Sequence, residues 1–420
     1  MILLLALGLA LLDPSDEAFF RAQAQRVVAS AHLAPGAASG KWRNSTPYDV
    51  HVPGGNMGYP AFWVRDAVMM LGADLIPAAE VEGWIRLMAS TLREQDWQVR
   101  PGVVVPAYAV PDHINFDGRP VFYPGTYETS EKQGGKPFGK YPPLDDHFYF
   151  ITAVYEHWKL TRDLTLFRSR VGTLCEKAYA VAPQDAASGL VSSGDVETEN
   201  AKDWGFCDAE FKSGKLLFPS VLKFLAARQL GELFDAAGDP TKARRYRGDA
   251  ARLQRHIGRT FLDADGWLRS ATGVGNQPDV WGSAFAVWAG AVDGATARRV
   301  SQSLVRAYRN RTAVREGCVR HILTTDKTNQ GAWQMSLVAP GTYQNGGYWG
   351  TPCGWYIAAM HQADPQAARD MARDYLHFLR TSETWEWFNP DTGKRNNPLY
   401  VATVALPYVS LVQAGLLRAQ

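Results

Sequence analysis

The sequence predicts an all-α protein of about twelve helices, and three observations carry that prediction. Apolar residues recur with the helical period along most of the 420 residues. The two-residue alternation typical of strands is confined to brief segments such as Val103 to Tyr108. Helix start signals are frequent, and short links alternate with long ones, which favours helices arranged as pairs.

Local signals place each helix in order. Helix starts are indicated by Asp163 and by three Asp-Pro pairs, in which the carboxylate caps the helix and proline takes the first helical position. These pairs begin at Asp13, Asp239 and Asp364, and Gly238 is a typical helix end. The predicted helices span residues 14–32, 62–73, 78–95, 144–160, 163–182, 217–237, 240–261, 279–290, 294–308, 350–361, 365–379 and 400–417.

The links suggest how the helices assemble. Links that follow even-numbered helices are short, whereas links that lead into them are mostly long and rich in Trp, Tyr, Gly and Asp. If consecutive helices are antiparallel neighbours, all even-numbered helices point the same way and the long loops gather on one face. Six helical hairpins closing into an (α/α)6 toroid is the simplest such architecture. We therefore expect residues 13–420 to form one domain, with loops and short strands on one face.

Composition narrows the class of protein. The chain is 46% hydrophobic and 20% charged, as expected for a packed globular protein. Its 44 basic and 42 acidic residues are spread along the chain without a basic block, so nucleic acid is not an expected partner. The apolar segment Met1 to Leu12 has the length of a secretory signal core and predicts a secreted or periplasmic protein. The alternative is a cytoplasmic protein with a buried N-terminal helix, and no later run is long enough to span a membrane.

The cysteines carry no recognisable motif. Cys175, Cys207, Cys318 and Cys353 are widely separated, without Cys-x-x-Cys pairs or adjoining histidines. Cysteine-based zinc sites and thioredoxin-like redox sites are therefore not expected. A disulfide pairing cannot be read from this spacing, and a nucleophilic role for Cys207 is not favoured without a nearby histidine.

Three distant stretches combine carboxylates with aromatic rings. They are Trp-Val-Arg-Asp at residues 63–66, Gly-Asp-Val-Glu-Thr-Glu at residues 194–199, and Trp-Glu-Trp-Phe-Asn-Pro at residues 385–390. Two carboxyl groups can protonate a leaving oxygen and activate water, while flat rings stack on the apolar faces of a sugar. The stretches therefore indicate carbohydrate chemistry at the loop-bearing face.

These residues resemble motifs of the six-hairpin glycoside hydrolases. The chain is most similar to the processing α-glucosidase I and mannosylglycerate hydrolase group, and more distantly to glucoamylase and trehalase. The Trp-x-Arg-Asp segment resembles the motif that grips the terminal sugar, and residues 386–393 resemble the stretch that carries the catalytic base. Asp195 stands where the general acid would lie, without the usual Asp-Asn-Ser-Pro context. Residues 343–349 resemble a substrate-pocket signature.

The resemblance implies an exo-acting, inverting hydrolase of an α-glycosidic bond, acting on an oligosaccharide or glycoside without a cofactor or metal. Asp195 would be the general acid, with Glu197, Glu199 and Asp203 as competitors, and Glu386 would be the base. The remaining candidates are expected to bind the sugar: Trp63, Arg65, Asp66, Asp146, Glu197, Asp203, Trp204, Gln344, Asn345, Trp349 and Trp385. Among them, Trp204, Trp349 and Trp385 are expected to stack on the sugar.

Other interpretations of the same residues remain open. A glycoside phosphorylase would need a basic phosphate pocket, for which Lys394 and Arg395 are the candidates, and a glycan-binding protein would keep the cleft without turnover. A sugar epimerase or polysaccharide lyase would use His or Tyr bases. Arg65 and Asp66 could serve only in a structural ion pair, Asp145 and Asp146 could simply cap a helix, and the acidic loops could face solvent.

Overall fold

The computed structural model describes residues 11–55, 58–123, 142–194 and 207–418. These ranges contain twelve α-helices, the number that the sequence predicted. They are α1 Pro14–Ala31, α2 Val64–Val68, α3 Ala78–Thr91, α4 Asp146–Thr161, α5 Gly172–Tyr179, α6 Leu217–Ala236, α7 Pro240–Phe261, α8 Val280–Trp288, α9 Gly294–Arg309, α10 Cys353–His361, α11 Pro365–Thr381 and α12 Val401–Gln413.

The predicted caps form at the three Asp-Pro starts. The carboxylate of Asp13 accepts hydrogen bonds from two backbone N–H groups of the first turn of α1, and Asp364 does the same for α11. Asp239 accepts one such bond at the start of α7. Each carboxylate satisfies donors that a helix start otherwise leaves without a partner. This is why these helices begin where the sequence indicated.

Two helices are shorter than predicted. The second ends at Val68, and the fifth begins only at Gly172, after a π-helical turn over Phe167–Val171. Within that turn the backbone of Ser169 leaves the helical region, and its hydroxyl donates to the carbonyl oxygen of Leu166. A serine hydroxyl competes in this way for backbone hydrogen bonds, and the apolar period alone does not reveal it.

The even-numbered helices pack on one another in sequence order. Contacts run from α2 to α4, from α4 to α6, from α6 to α8, from α8 to α10 and from α10 to α12. Each odd-numbered helix from α5 to α11 packs against at least one even-numbered neighbour, most extensively α7 along α6. Helix α6 buries most of its residues, whereas α7 buries one stripe and exposes a charged face. This difference in burial is the one expected between an inner and an outer helix.

The even-numbered helices also share a direction. A cavity of about 340 Å³ is lined by residues of all six, mostly from their C-terminal halves, such as Leu71 just beyond α2, Glu232 of α6 and Trp288 of α8. The contribution of α10, Trp355, comes from its N-terminal half, so the cavity places the C-terminal ends of the other five on one side of the molecule. The N-terminal ends of these five lie on the other side, where the long loops enter.

The strands are short. The first eleven are β1 His32–Leu33, β2 Ala38–Ser39, β3 Trp42–Arg43, β4 Val50–His51, β5 Phe62–Trp63, β6 Trp97–Arg100, β7 Val103–Val105, β8 His113–Ile114, β9 Pro120–Val121, β10 Ser192–Ser193 and β11 Gly214–Lys215. The last five form one antiparallel sheet in the order β12 Val314–Arg315, β13 Cys318–Arg320, β14 Tyr348–Trp349, β15 Trp387–Phe388 and β16 Arg395–Asn396.

Strand pairing brings distant segments together. Tyr348 lies opposite Phe388 between β14 and β15, and Trp387 lies opposite Asn396 between β15 and β16. The two sequence motifs at residues 343–349 and 385–390 are therefore neighbours. In a separate three-stranded sheet, β5 pairs with β8 and places Trp63 opposite His113.

The main hydrophobic core extends from Leu11 to Leu417. Leu11 and Leu12, the two described residues of the apolar N-terminal segment, are buried in it, and the export expected from that segment stays a prediction. All four cysteines are buried and form no disulfide. Within the described ranges, no helix combines the length and apolar character needed to cross a bilayer.

Substituting Gly354 tests the close packing of α10 on α12. A Cβ atom at this position would lie 2.6 Å from the carbonyl oxygen of Pro407, which belongs to backbone that cannot move aside easily. We expect Gly354→Ala to lower the free energy of unfolding by about 1–3 kcal/mol, as overpacking does. The measurement is urea denaturation, with Gly248→Ala in α7 as the control because nothing lies within 4 Å there. The control should be neutral or stabilising.

Candidate active site

Glu386 is a buried carboxylate that several side chains hold in place. It precedes β15, and its side chain is 1% exposed. The hydroxyl of Tyr59 donates to both carboxylate oxygens, at 3.1 and 3.2 Å. The side-chain amides of Asn396 and Asn397 donate to Oε2 at 3.2 and 3.0 Å. The carboxylate is therefore fixed by three side chains at the start of a strand that is paired on both sides, as a reacting group requires.

The environment of Glu386 shifts its proton affinity strongly. Burial raises the pKa of Glu386 to about 8, because the charged form loses its hydration. Hydrogen bonds from Asn397 and Tyr59 oppose the rise, and the nearby charges of Asp208 and Asp66 add to it. A carboxyl group perturbed in this way and held in fixed geometry is a candidate for acid–base chemistry.

The Arg65–Asp66 pair lies in the first turn of α2 and ties that helix to two others. Arg65 Nε donates to Asp145 Oδ2 at 2.5 Å, and its guanidinium lies 3.9 Å from Asp112 Oδ1. Asp66 accepts a hydrogen bond of 2.6 Å from the hydroxyl of Tyr400. These contacts link α2 to the start of α4 and to the start of α12. The N-terminal ends of three even-numbered helices thus meet at this pair.

Several acids share the guanidinium of Arg65. Burial raises the pKa of Asp66 to about 6 and the pKa of Asp146 well above its usual range. The negative charge of the neighbouring Asp145 adds to the rise for Asp146. Neither side-chain oxygen of Asp146 has a hydrogen-bond partner among the described residues. Asp145 does not cap α4 with its side chain, so capping does not explain this acidic pair. The arrangement is a cluster of buried acids whose pKa values are raised by burial.

Asp208 is an acid that the sequence analysis missed. It is partly buried, and its Oδ2 accepts a hydrogen bond of 3.2 Å from the hydroxyl of Tyr343. Its charge raises the pKa of Glu386 and the pKa of Asp66, so it belongs to the same acid cluster. Its position four residues after Trp204, in the same run of acids and aromatics, was the available signal.

Tyr59, Tyr343 and Tyr400 were also missed by the sequence analysis. Each donates its hydroxyl to one of the clustered acids, Glu386, Asp208 or Asp66 respectively. Tyr343 begins the motif at residues 343–349, but no motif marked Tyr59 or Tyr400. The acids that they contact lie far away in the chain, and only the fold brings them together.

Two of the tryptophans predicted to bind the sugar are partly exposed. Trp63 stacks on His113, with ring centroids 4.3 Å apart, and meets Tyr59 edge-on at 5.5 Å. Trp385 is partly buried, and the guanidinium carbon of Arg395 lies 4.8 Å from its ring centroid. These two indoles flank the segments that carry Arg65 and Glu386, so both remain candidates for sugar stacking.

Trp349 is enclosed rather than open. It is 1% exposed, its Nε1 donates to the carbonyl oxygen of Tyr343 at 3.1 Å, and Trp281 and Tyr400 meet it edge-on. A ring packed in this way offers no open face for stacking. The structure therefore corrects the stacking role predicted for Trp349. Its ring instead packs against Tyr343 and Tyr400, two of the tyrosines that donate to the acids.

The two amides of the pocket signature hold loops in place. Asn345 Oδ1 accepts from the backbone N–H of Trp333 at 2.7 Å, and its Nδ2 donates to the carbonyl oxygen of Val338 at 2.9 Å. Gln344 is buried and accepts from the backbone N–H of Ala209 at 3.4 Å. Asn345 thus has a structural role, because both ends of its amide are engaged by backbone groups. Sugar binding by Gln344 stays a prediction.

The expected general acid lies outside the described residues. Asp195 and its competitors Glu197, Glu199 and Asp203, together with Trp204, all fall within residues 195–206. Their roles remain predictions.

The structure corrects one expectation about Cys207. Its Sγ lies 3.6 Å from Nδ1 of His321, whose Nε2 lies 3.1 Å from Asp279 Oδ1. A histidine is therefore close, contrary to the sequence expectation. All three side chains are at most 1% exposed, and burial lowers the pKa of His321. The group is enclosed in the core rather than open to a substrate.

Solved structures share this fold. A protein described as a wild-type glycosidase matches with a TM-score of 0.58 and 14% identity, covering 97% of this chain and 100% of that chain. A rhamnosidase from Klebsiella oxytoca with rhamnose bound has a TM-score of 0.58 and 14% identity, covering 97% and 66% of the two chains. The glucoamylase of Hormoconis resinae has a TM-score of 0.57 and 13% identity, covering 96% and 73%. No protein-family model and no curated protein matches the sequence.

The raised pKa of Glu386 predicts a pH-dependent stability. The carboxyl group binds its proton with a pKa of about 8 in the folded protein and near 4.5 when unfolded, so folding takes up a proton between these values. Stability should therefore fall as the pH rises from about 4.5 to 8. Glu386→Gln cannot ionise, and we expect its Tm to fall less over this range in calorimetry. The exposed Glu383→Gln control should keep the wild-type slope, and equal slopes for all three proteins would contradict the shift.

Proposed function

We propose that this protein is a glycoside hydrolase built on a closed (α/α)6 ring, with its active site at the N-terminal ends of the even-numbered helices. The observation that carries the proposal is the carboxylate of Glu386, buried and held by Tyr59, Asn396 and Asn397 beside a cluster of further acids. Glycosidic bond cleavage needs paired carboxyl groups of this kind. The fold shared with three glycosidases supports the same reaction class.

The proposed reaction is exo-acting and inverting. Asp195 protonates the glycosidic oxygen while Glu386 takes a proton from the water that attacks the opposite face of the sugar. Inversion requires about 6.5–9.5 Å between the two carboxyl groups to leave room for that water. The side chains that contact Glu386 are hydrogen-bond donors, which favours a carboxylate that accepts a proton.

The residues around Arg65 support recognition of a terminal sugar. Arg65 and Asp66 are held rigidly by Asp145 and Tyr400, and such a preorganised pair can bind vicinal hydroxyl groups. Trp63 and Trp385 are the proposed stacking surfaces. We propose an α-linked glycoside as substrate, as in the processing α-glucosidase I and mannosylglycerate hydrolase group, and an exported protein.

Removing the Glu386 carboxylate should abolish most of the activity. We expect Glu386→Gln to lower kcat by about 10²–10⁴, the usual contribution of a general acid or base. Turnover of a panel of aryl glycosides and α-disaccharides measures the effect, and NMR of the first-formed anomer tests inversion. Exposed Glu383→Gln is the matched control and should retain activity. Full turnover by Glu386→Gln on the best substrate would exclude the assignment.

The pH profile distinguishes the two roles open to Glu386. As a base it must be ionised, so kcat/KM should rise with pH toward the pKa of about 8. As an acid it must be protonated, so kcat/KM should instead fall above that value. Our proposal predicts the rising limb, and Glu386→Gln should remove it.

Leaving-group dependence identifies the general acid. A variant that lacks the acid should lose about 10²–10⁴ on natural glycosides but little on dinitrophenyl glycosides, whose leaving group needs no proton. We expect this pattern for Asp195→Asn. Asp208→Asn is the necessary comparison, because among the nearby acids the charge of Asp208 has the larger effect on the pKa of Glu386. If Asp208→Asn alone shows the pattern, the acid role belongs to Asp208.

A glycoside phosphorylase is the alternative on the same cleft. Arg395, one of its two candidate phosphate ligands, is exposed and lies against Trp385 rather than in the acid cluster. Product analysis with and without inorganic phosphate separates the two reactions. Binding of sugars without turnover in either condition would favour a glycan-binding protein.

A further inference from the structure

We propose that His32, His51 and Glu80 form a binding site for a divalent transition metal ion of the zinc class. One ligand atom of each residue lies within 4.8 Å of those of the other two. The site is separate from the acid cluster and uses none of its residues. It rests on three observations: strand pairing, a buried imidazole whose Nε2 faces Glu80, and a carboxylate that supports the second histidine.

Strand pairing sets the two histidines side by side. β1 and β4 are antiparallel, and His32 lies directly opposite His51. Directly opposed residues project to the same face of a sheet, so their rings meet, with centroids 5.2 Å apart. Glu80 enters from the first turn of α3. Three separate elements thus direct nitrogen and oxygen atoms toward one point.

His51 has a ring nitrogen that the protein leaves unsatisfied. Its side chain is 3% exposed, and its Nε2 lies 2.9 Å from Glu80 Oε2. Nδ1 is buried and has no hydrogen-bond partner among the described residues. Trp84 packs edge-on against the ring at 5.3 Å and fixes its position. Since Nε2 faces Glu80, it is Nε2 rather than Nδ1 that could share an ion with that carboxylate.

Asp49 supports the second histidine. Its Oδ1 lies 2.7 Å from His32 Nε2. A carboxylate placed behind an imidazole fixes the tautomer and ring orientation, as it commonly does for metal-bound histidines. His32 and Asp49 are each 36% exposed, so an ion can enter from solvent and water can complete its coordination. Two imidazoles with a carboxylate form a donor set that suits Zn²⁺.

A metal ion here would link β1, β4 and α3. The ligands come from β1 at the end of α1, from β4 and from the start of α3. His32 and His51 are 19 residues apart in the sequence, and His51 and Glu80 are 29 residues apart. Trp84, which contacts His51, also packs against Phe62 of β5, the strand that carries Trp63. The expected effect is therefore on stability, whatever reaction the acid cluster performs.

Zinc titration of the full chain tests the site. The protein is first stripped with EDTA, and ZnCl₂ binding is then followed by isothermal titration calorimetry and by Tm. We expect one Zn²⁺ per chain and a rise in Tm, whereas Mg²⁺ should have little effect because it prefers oxygen ligands. His32→Gln is the main variant because His32 is exposed and should not disturb folding. Affinity should fall at least tenfold in His32→Gln and by about 10- to 100-fold in Asp49→Asn.

The control is His377→Gln, which removes an exposed histidine of α11 and should bind Zn²⁺ as the wild type does. Failure of the wild type to bind one Zn²⁺, or wild-type affinity in His32→Gln and His51→Gln, would overturn the proposal. These readouts measure binding and stability only, so they do not depend on whether the protein cleaves glycosides.

Discussion

The ion pair between Arg65 and Asp145 is the interaction on which the candidate site depends. Several carboxyl groups are buried together at the N-terminal ends of the even-numbered helices, and such a concentration of acid is unfavourable without a cation. The guanidinium of Arg65 lies between Asp145 and Asp112 and links α2 to α4. It stabilises the cluster and fixes the place where these helix starts meet.

Tyrosine hydroxyls stabilise the other acids by donating hydrogen bonds to them. Tyr59, Tyr343 and Tyr400 each donate to a different carboxylate, and none of them adds charge. Burial still dominates, so the pKa of Glu386 rises to about 8 and that of Asp66 to about 6. The site thus contains carboxyl groups with different proton affinities, the property that lets two acids take the different roles required for bond cleavage.

The antiparallel sheet of β12 to β16 decides where Glu386 lies. Because β14 pairs with β15 and β15 with β16, Glu386 precedes a strand between the Tyr343 segment and the asparagines that hold it. Short strands of this kind contribute little to the core, yet they set the positions of the side chains at the loop-bearing face. The helices form the core, and the strand register sets which side chains lie next to Glu386.

The sequence by itself determined where most helices begin and pointed to two segments of the candidate site. Asp13, Asp239 and Asp364 capped helices as expected, because capping acts over only three or four residues. The Arg65 and Glu386 segments were recognisable because acids beside tryptophans are distinctive in composition alone. Tertiary structure alone decided that Asp208 and the three tyrosines join them, that Trp349 is enclosed, and that His32 meets His51 and Glu80. Those contacts join residues far apart in the chain, and their energies depend on packing and strand register, which no local pattern encodes.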